Sequence, residues 1–372
     1  MSRKFHITSI DIFAALMAKG RKIGVTGLVN FAKQKCILVS KDEDRELLSE
    51  YVSQLPFDFD DIVKLYEIIE SDNRREKLSI TQVKKTISYD KFQHAIDSLS
   101  TQLAISGEKI TILSNPDSPF LRIIYEYPHV DYGKATMLQE TIVRDSIEFS
   151  LQKKDVTDIR FAANSKCKDL IKKIIDEIEG LESSTIEIDE IDLSHVTDGK
   201  RRNDFFFSLI NTIPGLVLDD VSGVKISNIN NSIAIENDLV DTDAEETEPE
   251  MFPATELTGF IKDVAIRGKS LLFQKEYLDF VEKGFFISNL VWRSLDKNVE
   301  PNIMVEFEAG FADHQQCKNF QYSVKGAYVF KKDKSVFSST RKPLAEPDKI
   351  KYKTKIEQAA LKSKREISYD KA

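Results

Sequence analysis

Apolar positions recur at helical spacing through the first third of the chain, and strand-like runs become frequent after it. Thr8 or Ser9 can cap a helix carrying Ile10, Ile12, Phe13, Leu16 and Met17 on one side, with Gly20 near its end. Leu28 to Ala32 follow a Gly24 to Gly27 turn, and Cys36 to Val39 read as a short extended connector. Asp42 to Asp44 then open a helix with Leu47, Leu48, Tyr51, Val52 and Leu55. Asp60 and Asp61 begin another, bearing Ile62, Val63, Tyr66 and Ile69. Ser79 to Ile87 read as a short helix, and Tyr89 to Leu103 as a longer one with Phe92, Ala95, Ile96, Leu99 and Leu103 on one stripe. Two β-rich runs follow, Lys109 to Leu113 and Phe120 to Tyr127. The residues between them, Ser114-Asn-Pro-Asp-Ser-Pro, favour a turn.

From residue 131 the pattern is strand, strand, helix, strand, helix, strand. Ile147, Phe149 and Leu151 alternate, Ile159 to Phe161 form a second run, and Asn164 to Gly180 carry an apolar helical face. Thr185 to Leu193 and Gly215 to Ile226 read as strands on either side of a helix containing Phe205, Phe206 and Leu209. Further on come a strand to Arg267, an amphipathic helix from Lys275 to Lys283, and three strands: Phe285 to Trp292, Ile303 to Phe311 and Phe320 to Phe330. From Pro347 the chain is lysine-rich, with enough apolar residues for a helix that would be marginal alone.

Charge sharpens these divisions. The 372 residues hold 53 basic and 61 acidic side chains, a net of −8, so the protein is not a basic nucleic-acid coat. Residues 1–40 nevertheless carry a net +6 and residues 331–372 a net +7, while residues 236–250 hold eight acids and no base. Such an acidic run cannot bury itself and reads as a linker or long loop. The expected plan is an α+β multidomain chain. It has a helical module at 1–56, a three-helix-and-hairpin module at 57–130, an α/β domain at 131–235 and an acidic linker at 236–252. A small antiparallel α+β domain at 253–335 and a basic helical tail at 336–372 complete it. Three scattered cysteines, no apolar run of membrane-spanning length and no signal-peptide pattern point to a soluble cytoplasmic protein.

Residues 27–56, helix, extended connector, helix, resemble the SAP and helix-extension-helix DNA-binding modules. Residues 57–130, three helices and a hairpin, resemble a winged helix. The second resemblance implies that Tyr89 to Leu103 enters the major groove and that the hairpin touches the backbone. It would present Lys91, Gln93 and His94, with Ser98 and Gln102, assisted by Lys84 and Lys85. Lys19, Arg21, Lys22, Lys33 and Lys35 of the basic N-terminal segment would add phosphate contacts. The partner so implied is nucleic acid, duplex DNA ahead of RNA, held mainly through its backbone.

Catalytic chemistry is thinly represented. Gly268-Lys269-Ser270 has the end of a phosphate loop, but Asp263 stands where its first glycine belongs, and a carboxylate there repels phosphate. His314 and Cys317 have metal-ligand spacing without a second pair. Cys36 and Cys167 lie in apolar surroundings and are expected to be buried. A metal-dependent nuclease needs an acid followed by an acid-x-Lys pair. Asp198-Gly199-Lys200 supplies the residues at what reads as a helix cap, and Glu306 and Glu308 share a strand face with no lysine at that spacing. No catalytic residue, cofactor or metal site is therefore expected. Two other readings stand beside nucleic-acid binding. One is an accessory, protein-interacting subunit of a larger assembly, such as a defence or mobile-element complex, or a homo-oligomer. The other is the nuclease. The −3 balance of residues 57–130 favours the interaction reading.

Overall fold

Several helices start at capping side chains that are visible in the sequence. The computed structural model describes residues 7–18, 23–70, 77–115, 118–151, 155–228, 263–267, 280–331 and 336–369. At the head of α1 (Ser9–Ala18), the Asp11 N–H donates to Thr8 Oγ1 at 3.2 Å and the Thr8 N–H returns a bond to Asp11 Oδ2 at 3.0 Å. Two orphan donors are satisfied reciprocally, with aspartate in the place of the usual glutamate. After α2 (Val25–Gln34), Asp44 accepts the Glu46 N–H at 2.7 Å and starts α3 (Arg45–Ser53). Asp58 and Asp61 repeat the reciprocal pattern ahead of α4 (Phe59–Glu70).

Next come β1 (Leu78–Val83), α5 (Tyr89–Ile105), β2 (Lys109–Ile112), β3 (Phe120–Val130), β4 (Glu140–Ser150), β5 (Thr157–Ala162), α6 (Ser165–Glu182) and β6 (Ile188–Glu190). The chain continues through α7 (Gly199–Asn211), β7 (Val217–Asn228), β8 (Asp263–Arg267), β9 (Phe285–Asp296), β10 (Ile303–Asp313), β11 (Lys318–Lys331), β12 (Val336–Phe337) and α8 (Glu346–Tyr369). These strands pair antiparallel throughout.

The main departure from expectation is β1. The helix read at Ser79 to Ile87 is a strand, paired along its whole length with β5 from Leu78–Ala162 to Val83–Thr157. Its other side is shared by β11, at Leu78–Tyr322, and β6. Five of its six residues are buried. Because both faces are covered, the apolar positions do not alternate, and the polar ones mimic a helix's solvent side. Gln82 is satisfied by donating to Asp158 Oδ1 at 2.6 Å, and Ser79 by donating to the Phe320 carbonyl at 2.7 Å. The three-helix arrangement expected of residues 57–130 therefore lacks its second helix.

The chain forms two compact units, each assembled from separated segments. Unit 1 comprises Met1–Arg74, Ile87–Leu151 and Asp169–Ser184, and unit 2 comprises Arg75–Thr86, Gln152–Lys168 and Thr185–Ala372. In unit 1 the first four helices pack through Ile12, Leu16, Leu28, Leu48 and Val52, joined by Met137 and Leu138. The sheet β2-β3-β4 turns Leu121, Ile123, Tyr125, Ile147 and Phe149 inward, and Phe149 lies 4.5 Å from Phe92 of α5 between ring centroids.

In unit 2 the strand order is β5-β1-β11-β10-β9-β7-β8, an open antiparallel sheet to which residues 131–235 and 253–335 both contribute. Phe205, Phe206, Leu209 and Ile210 of α7 share one core with Trp292, Phe307, Phe311 and Tyr322 of the sheet. The basic tail, expected as a marginal helix, is part of this core. α8 runs for 24 residues and buries Tyr352, Ile356, Ala359 and Ala360. The burial of that face supplies the stability that an isolated lysine-rich helix lacks. The acidic run 236–252 lies outside the described residues.

Candidate functional site

Each cation nominated for phosphate contact either lies outside the described residues or has a definite local setting. Lys19, Arg21 and Lys22 are outside them. Lys33 is exposed in the last turn of α2. Lys35 donates to the Pro56 carbonyl at 2.6 Å, pairs with Asp61 and lies 5.5 Å from the centroid of the Phe57 ring. Partial burial works against the charged form of Asp61, yet Lys35 holds its carboxyl below the ordinary value. Lys35 thus ties α2 to the start of α4.

Lys84 pairs with Glu187 at 2.6 Å, both side chains being more than half exposed, and this bond raises the lysine above its ordinary value. Lys85 is half-buried, and its carbonyl accepts from Thr157 Oγ1 at 2.8 Å. Both belong to unit 2. Lys91, Gln93 and His94 are exposed on α5, in unit 1. There Lys91 pairs with Glu182, and Ser98 donates to Glu177 Oε2 at 3.4 Å. Asp90 and Asp97 are exposed on the same helix. The charges around Lys91, Gln93 and His94 are therefore mixed, with carboxylates of both α5 and α6 nearby.

The nuclease candidates are separately occupied. Asp198 accepts the Lys200 N–H at 2.9 Å and is the cap of α7, as its position before Gly199 implied. Glu306 is buried against Arg341. Glu308 meets Lys325 at 3.1 Å. Burial tends to raise its carboxyl, and Lys325 holds it below the ordinary value. Among the described residues no three His, Cys, Asp or Glu come together as a metal site. Burial pushes the Cys317 thiol up to about 12, so it is an inert thiol. Cys36, expected to be buried, is exposed: it sits just beyond α2 at φ +63°, a left-handed turn that directs it away from the apolar run.

Unit 2 has a cleft of about 300 Å³ at the head of α6, lined by Ser79, Thr81, Asn164, Lys168, Glu190 and Asn319 among others. Lys168 Nζ is held there by Glu190 at 2.7 Å and Asn319 at 3.1 Å. Its charge is matched within the cleft. The lysines of α8 are similarly engaged. Lys351 pairs with Asp296 at 3.0 Å and Lys364 with Asp189, so the tail is not a free polycation.

What the sequence did not foretell is where apolar side chains remain in solvent. Among the described residues, thirteen of the fifteen large exposed hydrophobics lie in unit 1, although unit 2 is larger. They include Ile10 and Met17 of α1, Leu47 and Tyr51 of α3, Leu38 between α2 and α3, and Ile105 at the end of α5. Ile10, Met17, Leu47 and Tyr51 all belong to apolar helix faces in the sequence pattern. Each is out of its core because a helix ten residues long has a stripe wider than one contact can cover. The only sequence signal is their abundance in two short helices.

Compared with known protein families and with curated proteins, the chain matches none. No helix among the described residues is long and apolar enough to cross a membrane.

Proposed function

We propose that the protein is an interaction subunit that docks on other protein chains through unit 1 and carries no catalytic centre of its own. The observation behind this reading is the concentration of exposed apolar side chains on unit 1. An excess of exposed apolar side chains suits protein contacts better than nucleic-acid contacts, whose surfaces are basic. The pairing of Lys35, Lys84 and Lys91 with carboxylates supports the same choice. Leu47 and Tyr51, one turn apart on α3, are the expected anchors. Tyrosine is enriched at such contacts.

The test is affinity capture with the full chain, comparing the parent with Leu47→Ser/Tyr51→Ser and with Val217→Ser/Val336→Ser on unit 2. Proteins held by the parent should fall at least about tenfold with the first pair and persist with the second. Retention by the first pair and loss by the second would overturn the reading.

Nucleic-acid binding keeps one favourable observation. α2 and α3 follow one another across a connector of turns and irregular chain, and Lys33 is exposed in the last turn of α2. That reading requires duplex DNA affinity that falls steeply with salt through counterion release.

A further inference from the structure

One face of the unit 1 sheet has a pattern that a solvent face does not need. Helices cover the other face, so an antiparallel sheet should turn polar residues outward here. The outward residues of β3 are Phe120, Arg122, Ile124, Glu126, Pro128 and Val130. Opposite them on β4 stand Ser150, Glu148, Ser146, Arg144, Ile142 and Glu140 in register. The Arg122–Glu148 and Glu126–Arg144 rows therefore lie between rows that each hold an apolar residue, and the Val130–Glu140 row at the end mixes the two kinds. Phe120, Val130 and Ile142 are 39%, 42% and 50% exposed, and Leu113, at the end of β2 on the same face, is 58% exposed.

The charged rows form a checkerboard. Arg122 on β3 donates to Glu148 on β4 at 2.7 Å. Four residues along, the signs exchange strands: Arg144 on β4 donates to Glu126 on β3 at 2.6 Å. A two-fold axis lying in the contact plane, parallel to the strands and midway between them, lays β3 over a second copy's β4. Arg122 then faces the partner's Glu148, and Glu126 faces the partner's Arg144. An axis across the strands, through the Ile124–Ser146 row, sets Arg122 over the partner's Glu126. Either way both arginines meet a carboxylate, while Lys109 of β2, in register beside Glu126, and Glu140 of β4 lie on the same face outside these two rows.

The geometry permits it. Packed sheets lie about 10 Å apart and cross at about 30°, and each charged row is two residues from the centre, about 7 Å. The sideways offset at a charged row is then about 3–4 Å, less than the roughly 4.8 Å between strands, so the register survives. The four charges of these two rows enter already paired, so covering the rows leaves none of the four an orphan ion. A closed, isologous contact needs a surface that is complementary to itself, and this one is.

We infer that the outer face of β2-β3-β4 is the seat of a second copy of this chain, packed face to face about a two-fold axis. This rests on the reading of unit 1 as the docking unit and names one of its partners.

The test uses the full chain in sedimentation equilibrium. The parent should sediment at twice 42.5 kDa. Arg122→Glu/Arg144→Glu makes both charged rows wholly acidic, and Glu126→Arg/Glu148→Arg makes them wholly basic. Each alone should dimerise at least about 30-fold more weakly than the parent, and an equimolar mixture should restore a one-to-one dimer. Circular dichroism checks the fold of each. Should either fail to fold, Ile142→Ser, at a side chain already half in solvent, must weaken the dimer by itself.

A parent that stays monomeric at about 100 μM overturns the inference, as does a dimer indifferent to all these changes. A monomeric parent that still captures other proteins through Leu47 and Tyr51 sinks the second copy and leaves the interaction reading standing. A dimer through this face, with no capture through α3, does the reverse.

Discussion

Asp296, at the end of β9, has no exposed side-chain surface, yet it is ionised. Burial favours its neutral form, but Lys351 at 3.0 Å, the Asn298 N–H at 3.0 Å and the Tyr352 hydroxyl at 2.9 Å outweigh this and lower its carboxyl below the usual 3.8. A depressed carboxyl stabilises the folded state above its unfolded value, and that contribution is lost as pH falls through the lower, folded value. Asp296→Asn should therefore cost about 2–3 kcal/mol in urea unfolding at pH 7, and the difference from the parent should shrink as pH falls below the ordinary 3.8. Gly326 makes a steric demand instead. At φ +140° in β11, an added Cβ would lie 2.5 Å from the Lys342 carbonyl oxygen, where the β10–β11 register shifts beside Glu306. Gly326→Ala should lower the melting temperature by several degrees, a cost of about 2 kcal/mol or more. Local residue roles were legible in the sequence. Asp198 caps α7 because its carboxylate reaches the Lys200 N–H, only two residues along the chain. Lys35 was not legible, because the carboxylate that holds it comes 26 residues later and meets it only once α4 is docked.

The elements divide along the same line. The hairpin of β2 and β3, the helices α5, α6 and α7, and the long strands β9 to β11 have periodicities that belong to them alone, and they stand close to where the pattern put them. β1 does not, because a strand covered on both faces has the apolar pattern of its surroundings. α8 is an intermediate case: its helicity was readable and its burial was not. Glu357, 5% exposed, accepts from Arg160 of β5 at 2.5 and 2.6 Å and from the Tyr322 hydroxyl of β11, so one carboxylate joins two strands to the helix. Glu357→Gln should destabilise the chain by about 2–4 kcal/mol. A double-mutant cycle with Arg160→Leu should show the two losses to be well short of additive. Full additivity would mean that the contact does not couple β5 to α8.

For the molecule as a whole, the charge map is a better guide when folded than when linear. The +7 of residues 331–372 reads as a basic helical tail, and in the fold several of its lysines meet acids of unit 2. Duplex DNA should accordingly bind more weakly than about 100 μM at 150 mM salt by fluorescence anisotropy. A submicromolar, steeply salt-dependent affinity would restore nucleic acid as the partner. The two units are themselves interleaved along the chain, and this governs the order in which they can be made. Unit 1 is complete once residue 184 has been synthesised, whereas unit 2 needs the last helix. β1 leaves the ribosome 244 residues before Tyr322, its partner in β11. At ordinary elongation rates that is a wait of about 12–50 s with the Leu78 end of this edge unpaired, the Thr81 to Val83 end being taken earlier by β6. A nascent chain stalled before α8 would therefore carry a finished unit 1 attached to an open sheet, a form prone to clump. Synthesis of α8, rather than any step within unit 1, is the event that closes the second core.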